Sequence, residues 1–513
     1  MRTTATFLAL LPGLALAGGK CKPDHGKKPL VTSEKLQALI KTQDLLDGAN
    51  KLQEFADANG GHRAFGSGGH NATVDWLYKT LKATGYYDVT KQPFERIYSQ
   101  AKGSLSVGGE QLTMQTMTYT PGGEASRPLV AVANLGCDAE DYPAEVSGNI
   151  ALISRGTCSF SQKAINAKAA GAVGALVYNN EDGVVQGTLG EPLLDYAPIA
   201  GITQADGLAL LEKLAEGEVV ADLKIDALVE SRVTYNVIAE TKLGDKNNVL
   251  VVGGHSDSVP AGPGINDDGS GTVGILAVAK ALTKFKVKNA VRFGFWSAEE
   301  FGLLGSYAYV NSLNSSETEL AKIRAYLNFD MIASPNYIYG IYDGDGNAFN
   351  LTGPDGSDVI ERNFENFFKS KNTPSIPTEF SGRSDYAAFI ENGIPSGGLF
   401  TGAEVLKTEE EAALFGGQAG IAYDANYHQP GDTVDNLALD AFLLNTQSIA
   451  DAVATYATSW EGFPAVNLNQ RRWDADRARI LKRSGGIHGH GPRSHAHPHG
   501  VAHSGPCGGG DTI

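Results

Sequence analysis

Acidic and imidazole side chains recur in this sequence where short apolar runs end. His255 and Asp257 close the run Val249-Leu250-Val251-Val252-Gly253-Gly254, and Asp267-Asp268 follow after a Pro/Gly loop. Glu299-Glu300 come just after Val291–Trp296, Asp330 closes Ile323–Phe329, and Tyr427-His428 lie in a loop beyond Ser396–Thr401. Imidazole with carboxylate is a donor set for zinc, with Mn or Co chemically admissible. Two histidines with three carboxylates are too acidic for a structural zinc, which favours Cys-rich closed tetrahedra. They suit two divalent ions that share a bridging carboxylate and keep positions open for water and substrate. In the doublet Glu299-Glu300 one carboxylate can ligate while its neighbour takes a proton from the attacking water. Partial burial raises such a pKa toward neutrality. Asp257, two positions after His255, can orient the imidazole. The plainer reading is that Asp268 or Ser270 caps a helix and Asp257 is a turn aspartate. Independent caps, however, would not require acidic residues at successive strand ends together with two histidines.

The elements around these residues follow a βαβ rhythm. The β-branched run at Val249–Val252 reads as a strand buried on both faces, as in a parallel sheet. Ligands in open α/β sheets collect at the carboxyl ends of such strands. A helix is expected from Ser270-Gly271 through Leu282, others over 33–58, 71–84, 359–368 and 437–456, and further strands over 233–239 and 337–342. Gly60–Gly69 is a glycine-rich loop without the Lys-Ser/Thr ending of a phosphate loop, so it reads as a tight connection. His62 within it and His70 just after it read as loop or surface residues. From about 120 to 230 short β-rich pieces alternate with helices such as Ser161–Ala170, and no histidine occurs between His70 and His255. That stretch reads as an inserted binding or shielding module without a catalytic set.

With 513 residues, two domains are expected. A net charge of −16 argues against nucleic acid and anionic membranes as partners. Arg2, the apolar core Phe7–Leu16 and Ala15-Leu16-Ala17 form a secretory signal pattern over 1–17, followed by a short N-terminal or pro segment over 18–34. Export fits the acceptor sequons at Asn71, Asn314 and Asn350. Of the four cysteines, Cys137 and Cys158 are paired here, while Cys21 and Cys507 near the ends stay open. The Gly/His/Pro/Ser-rich tail, 480–513, is expected to be disordered. Lys482-Arg483-Ser484 offers a dibasic cleavage site.

The motifs GGHSDSV, GINDDGSG, FWSAEEFGLLGS, LNFDMI, FSGRSDYAAF and YHQPGDT, with NGGHRAFGSGGHNATVDWL upstream, resemble co-catalytic zinc aminopeptidases. The group is the one that contains aminopeptidase Y and secreted fungal leucine aminopeptidases. The resemblance covers most of residues 35–120 and 232–460. It implies two Zn2+ per chain, with His255, Asp267 and Asp330 on one and Asp267, Glu300 and His428 on the other. It implies Glu299 as general base, Asp257 as partner of His255, Tyr427 as oxyanion donor, and a cis peptide between Asp267 and Asp268. Asp385 and, less directly, Arg383 would line the pocket. The stretch GNIALISRGTCSFSQKAINAKAAGAVGALVYNN resembles a protease-associated domain bridged by Cys137 and Cys158.

The expected fold is α/β, with a mixed, mostly parallel central sheet flanked by helices. The catalytic domain would span 35–120 and 232–465, with a β-rich protease-associated domain inserted over 121–231. The expected activity is an exported di-zinc aminopeptidase, secreted or in the vacuolar lumen and monomeric. It would act on peptide and protein N-termini with apolar first residues such as leucine. The rivals are a carboxypeptidase or glutaminyl cyclase of the same fold, and a receptor-like binding protein with a dead metal site. Dead sites lose ligands, and all five are present here.

Overall fold

The computed structural model describes residues 28–190, 192, 195–313, 316–472 and 474. The signal pattern, Cys21, Asn314, the dibasic site, Cys507 and the His-rich tail lie outside the described residues.

The main sheet is built from β1 (Tyr87–Val107), β2 (Val220–Thr241), β3 (Asp245–His255), β4 (Asn289–Trp296), β5 (Ile323–Phe329), β6 (Gly340–Tyr342), β7 (Ile376–Thr378) and β8 (Ser396–Phe400). Their spatial order is β7-β6-β8-β5-β3-β4-β2, with β1 paired along β2. Pairs β3/β4, β3/β5, β5/β8 and β6/β7 are parallel, and β2/β4, β6/β8 and β1/β2 are antiparallel. β3 is central, and every residue from Val249 to His255 is buried. Its side chains alternate between two cores. Leu250 and Val252 join one with α1 (Thr42–Asp57), α2 (Gly68–Ala83), α3 (Gly269–Leu282), α4 (Ser357–Ser370) and α5 (Leu439–Tyr456). Val249 and Val251 join the other, with Trp296, Tyr309, Tyr326 and Phe389. A strand covered on both faces has no solvent side, which is why its sequence is continuously apolar.

β1 and β2 pair without a break from Tyr87↔Thr241 to Val107↔Ala221, a two-stranded ribbon leading out of the main sheet. At its far end Gly123–Ala131 pairs with β2 and runs parallel to Ile150–Ser154, which leads on through Gly174–Tyr178 to Ile199–Ile202. These strands build the inserted unit. Leu105, Val107, Leu223 and Ile225 of the ribbon pack into its apolar core, so the insert draws on chain upstream of residue 121. Cys137 and Cys158 form a disulfide there.

Several elements differ from expectation: β1 was not foreseen, and the strand expected over 233–239 begins at Val220. The helical stretch at 33–58 is divided into Ser33–Gln37 and α1. The turn between them lets Leu36 and Ile40 both be buried and brings the Ser33 hydroxyl to Asp451 of α5. The strand expected over 337–342 is shorter, beginning at Gly340. Among the described residues no helix is long and apolar enough to cross a membrane.

Candidate metal centre and cleft

The carboxyl ends of β3, β4 and β5 bring three of the motifs together. His255 is the last residue of β3, Glu299-Glu300 lie just beyond β4, and Asp330 follows β5 directly. Asp267 stands before α3 in the loop leaving β3, and its peptide bond to Asp268 is cis. His428 arrives from a distant loop between β8 and α5.

Asp267 is the meeting point. Its Oδ1 lies 3.1 Å from His255 Nε2 and its Oδ2 lies 3.1 Å from His428 Nε2. Asp330 Oδ1 is 3.5 Å and Glu299 Oε2 3.8 Å from His255 Nε2, while Glu300 Oε2 is 2.8 Å from His428 Nε2. Two donor groups result, His255–Asp267–Asp330 and Asp267–Glu300–His428, each with its ligand atoms within 4.8 Å of one another. They share one carboxylate. His428 Nε2, despite these short distances, makes no hydrogen bond of proper alignment, nor does the buried Oε1 of Glu300. Lone pairs that converge without pairing fit a cation between them, and imidazole with carboxylate is a zinc-type donor set.

The electrostatics favour the same occupant. Burial works against a charged imidazole at both histidines, but the carboxylates outweigh it. Glu299 and Asp330 hold His255 well above the usual range, and Glu300 and Asp267 push His428 up to about 11. Burial, opposed by His255 and reinforced by Asp330, Glu300 and Asp385, keeps Glu299 well above an ordinary carboxyl. Asp385 is pushed up to about 7 by burial, against the pull of His255. So many buried carboxylates in one cleft call for positive charge.

Asp268 caps α3 by accepting the Gly271 N–H at 2.8 Å, as the plain reading of that residue expects. It also accepts the N–H groups of His255 and Met331, at 3.0 and 3.1 Å. Ser270 and Asn266 take the next two amides, Ile332 and Ala333. The loops after β3 and β5 are thereby laced together. Ala298, Met331 and His428 have φ of 59°, 58° and 56°, a left-handed conformation that non-glycine residues avoid. Each lies at or beside a candidate site residue, where such strain is commonly held.

On the other wall Tyr427 stacks on His428 with ring centroids 3.8 Å apart. Arg383 donates to the Tyr427 hydroxyl at 3.1 Å and to Glu404 Oε1 at 2.7 Å. Ser384 donates to Asp330 Oδ2 at 2.6 Å. Asp257 lies 3.6 Å from His255 Nδ1. The sequons at Asn71 and Asn350 are on exposed residues.

His70 is not at the surface. It is fully buried, 3.1 Å from Ser256 Oγ, and burial, opposed by Asp257, lowers it to about 4. Arg63, in the glycine-rich loop, is also fully buried and donates Nε to the Pro263 carbonyl at 2.8 Å and its terminal nitrogens to those of Ser256 and Gly264. Sequence reasoning placed His70 in a loop or at the surface, and it passed over Arg63, Ser384, Glu404 and Asp432. The one usable signal was a lone arginine in a glycine-rich loop that is not a phosphate loop.

Peptidase family M28 matches residues 236–453, and a PA domain matches 125–210. The chain is 58% identical to the probable leucine aminopeptidase 2 of Aspergillus fumigatus over 466 residues, covering 90% of this chain and 92% of the relative. It is 54% identical to leucine aminopeptidase 2 of Trichophyton rubrum, covering 85% and 88%. Among solved structures it resembles an aminopeptidase from Aneurinibacillus sp. strain AM-1, with a TM-score of 0.63, 28% identity and coverage of 85% and 97%. It also resembles BSAP, a zinc aminopeptidase from Bacillus subtilis, with a TM-score of 0.59, 26% identity and coverage of 83% and 95%. With the inserted unit matching a PA domain and the relatives spanning nearly the whole chain, this protein belongs to peptidase family M28.

Proposed function

We propose that the protein is an exported, monomeric aminopeptidase that binds two zinc ions per chain and removes apolar residues such as leucine from peptide N-termini. The observation that carries this reading is the position of Asp267, with one oxygen toward each histidine and a further carboxylate beside each pair. His255, Asp267 and Asp330 would hold one ion, and Asp267, Glu300 and His428 the other. Ions held there would polarise the scissile carbonyl and lower the pKa of the attacking water.

The chain's own groups do the rest. Glu299, buried and raised in pKa, takes the water proton as the oxygen adds to the carbonyl carbon. It delivers that proton to the leaving nitrogen as the C–N bond breaks. Tyr427 accepts a hydrogen bond from Arg383, which leaves its own proton to donate to the developing oxyanion. The surplus of carboxylates provides a place for a free α-ammonium group, whereas an acylated N-terminus has no charge to offer.

Leu-p-nitroanilide and its N-acetyl twin, assayed with zinc counted in the same sample, test the proposal. Release from the free amine alone, at two ions per chain, is the expected result. Equal cleavage of the acetylated compound would remove the aminopeptidase assignment. The similarity to named leucine aminopeptidases and the retention of all five donors speak against a dead binding protein.

A further inference from the structure

The two loops that carry Asp267 and His428 share no strand pairing, yet their side chains must stay in register to within a fraction of an ångström for both to reach one cation. Side chains of the His428 loop reach across to the Asp267 loop, and Asp432 makes the most of these contacts. Asp432, 1% exposed and four positions after His428, accepts the Asn266 N–H on Oδ1 at 2.8 Å and the Asp267 N–H on Oδ2 at 3.0 Å. Its own carbonyl accepts the Ile265 N–H at 3.0 Å. Three successive amides leading to Asp267 therefore end on one residue of the His428 loop. The Asp432 N–H closes the turn back on the Gln429 carbonyl at 3.2 Å, beside His428. Asn436 then ties Asp432 to Asp424, which accepts the side-chain amide of Asn266 at 2.7 Å.

The opposite side of the same loop has a separate anchor. Arg63 donates to the carbonyls of Ser256, Pro263 and Gly264 from the glycine-rich segment, and it reaches Asp432 of the His428 loop through charge alone. The earlier part of the path from His255, as far as Gly264, is thus held by hydrogen bonds that do not involve Asp432. What Asp432 adds is the relation of that path to His428.

We propose that Asp432 is a positioning residue that sets the spacing between Asp267 and His428, and thereby the affinity of the cation site that His428 completes. This rests on the two-ion reading above. An outer residue that orients ligands typically changes metal affinity by about 10–100-fold when removed.

Calorimetric titration of the chelator-stripped, full-length protein with Zn2+ tests the assignment. The unmutated chain should take two equivalents. Asp432→Asn, isosteric but unable to accept both amides, should keep the first equivalent and weaken the second by about 10–100-fold. Arg63→Lys loosens the same loop but keeps the positive charge that faces Asp432 and leaves the Asp432 hydrogen bonds in place, so it should not reproduce that selective loss. A single equivalent in the unmutated chain overturns the two-ion reading and this proposal with it. Two equivalents there, with both affinities unchanged in Asp432→Asn or with the same split in Arg63→Lys, overturns the proposal alone. If Asp432→Asn does not accumulate as folded protein, Asp432→Glu, which keeps the charge but displaces it by a methylene, should show the split.

Discussion

Asp257 Oδ1 accepts the backbone N–H of Glu299 at 3.1 Å while lying 3.6 Å from Nδ1 of His255. One buried carboxylate therefore faces both the proposed proton acceptor and a proposed ligand. Replacing it by Asn keeps an acceptor for the Glu299 amide but removes the charge facing the imidazole. Asp257→Asn should accordingly fold normally and lower kcat by about 10–100-fold. Circular dichroism with steady-state kinetics checks this, and an unchanged kcat would detach Asp257 from the reaction.

Glu299→Gln separates proton transfer from metal binding. Glu299 lies in neither donor group at the metal centre, but its Oε2 is 3.8 Å from His255 Nε2, close enough to serve bound water. The variant should retain its zinc while kcat drops by about 10²–10⁴-fold, the usual worth of a positioned general base. Loss of zinc together with activity would make Glu299 a ligand instead.

Tyr427→Phe deletes the hydroxyl that Arg383 orients and keeps the ring that stacks on His428. A lost oxyanion donor lowers kcat by about 10²–10³-fold, with KM much less affected. Arg383→Met should lower kcat in the same direction by a smaller factor. In the double variant the Arg383 change should add little, because the orienting hydrogen bond has no hydroxyl left to act on. Additive losses would show that the two residues act separately.

How much of this was legible in the sequence depended on distance along the chain. The strand ends at His255, Glu299 and Asp330 were readable because a strand buried on both faces is a continuous apolar run, and whatever follows it stands at the sheet's edge. Asp268 was readable as a cap because capping is local. Arg63 and Asp432 were not, since their partners lie about two hundred and about one hundred and sixty-five positions away and a buried guanidinium or carboxylate leaves no periodic trace. His70 looked like a loop residue because a helix beginning on Gly68-Gly69 has weak local signals. β1 escaped notice because, over most of its length, a two-stranded ribbon buries few residues and so carries little apolar pattern.

Gly271 tests the lacing of the strand ends. A Cβ there would stand 2.0 Å from the Phe329 carbonyl oxygen and 2.4 Å from Asp268 Oδ1, neither of which can swing away without breaking a strand end or the α3 cap. Gly271→Ala should destabilise the protein by about 3 kcal/mol or more, the upper end of overpacking. Gly420 has φ of +73° and open space around it, so Gly420→Ala should lose only about 1–2 kcal/mol to backbone strain. Denaturant midpoints for the pair distinguish a steric clash from conformational strain, and equal losses would count against the clash.

Away from the cleft, Glu361 gives the fold a pH dependence of its own. It is 5% exposed, and burial pushes its carboxyl up to about 7, with Asp345 and Asp343 adding repulsion. The N–H groups of Gly344 and Asp345, bonded to Oε2 at 2.9 and 3.1 Å, oppose the shift without cancelling it. A folded pKa above the unfolded value of 4.5 means that the native chain holds the proton more tightly. The contribution of Glu361 to stability is therefore full below 4.5 and is lost as pH rises through about 7. Glu361→Gln keeps an acceptor for the two amides and carries no charge at any pH. It should match the unmutated protein in acid and be the more stable of the two at about pH 8, with a flatter profile between. Thermal midpoints measured across that range decide the matter. A variant that is less stable at the alkaline end would mean that the charged carboxylate is supported by its loop rather than strained by it.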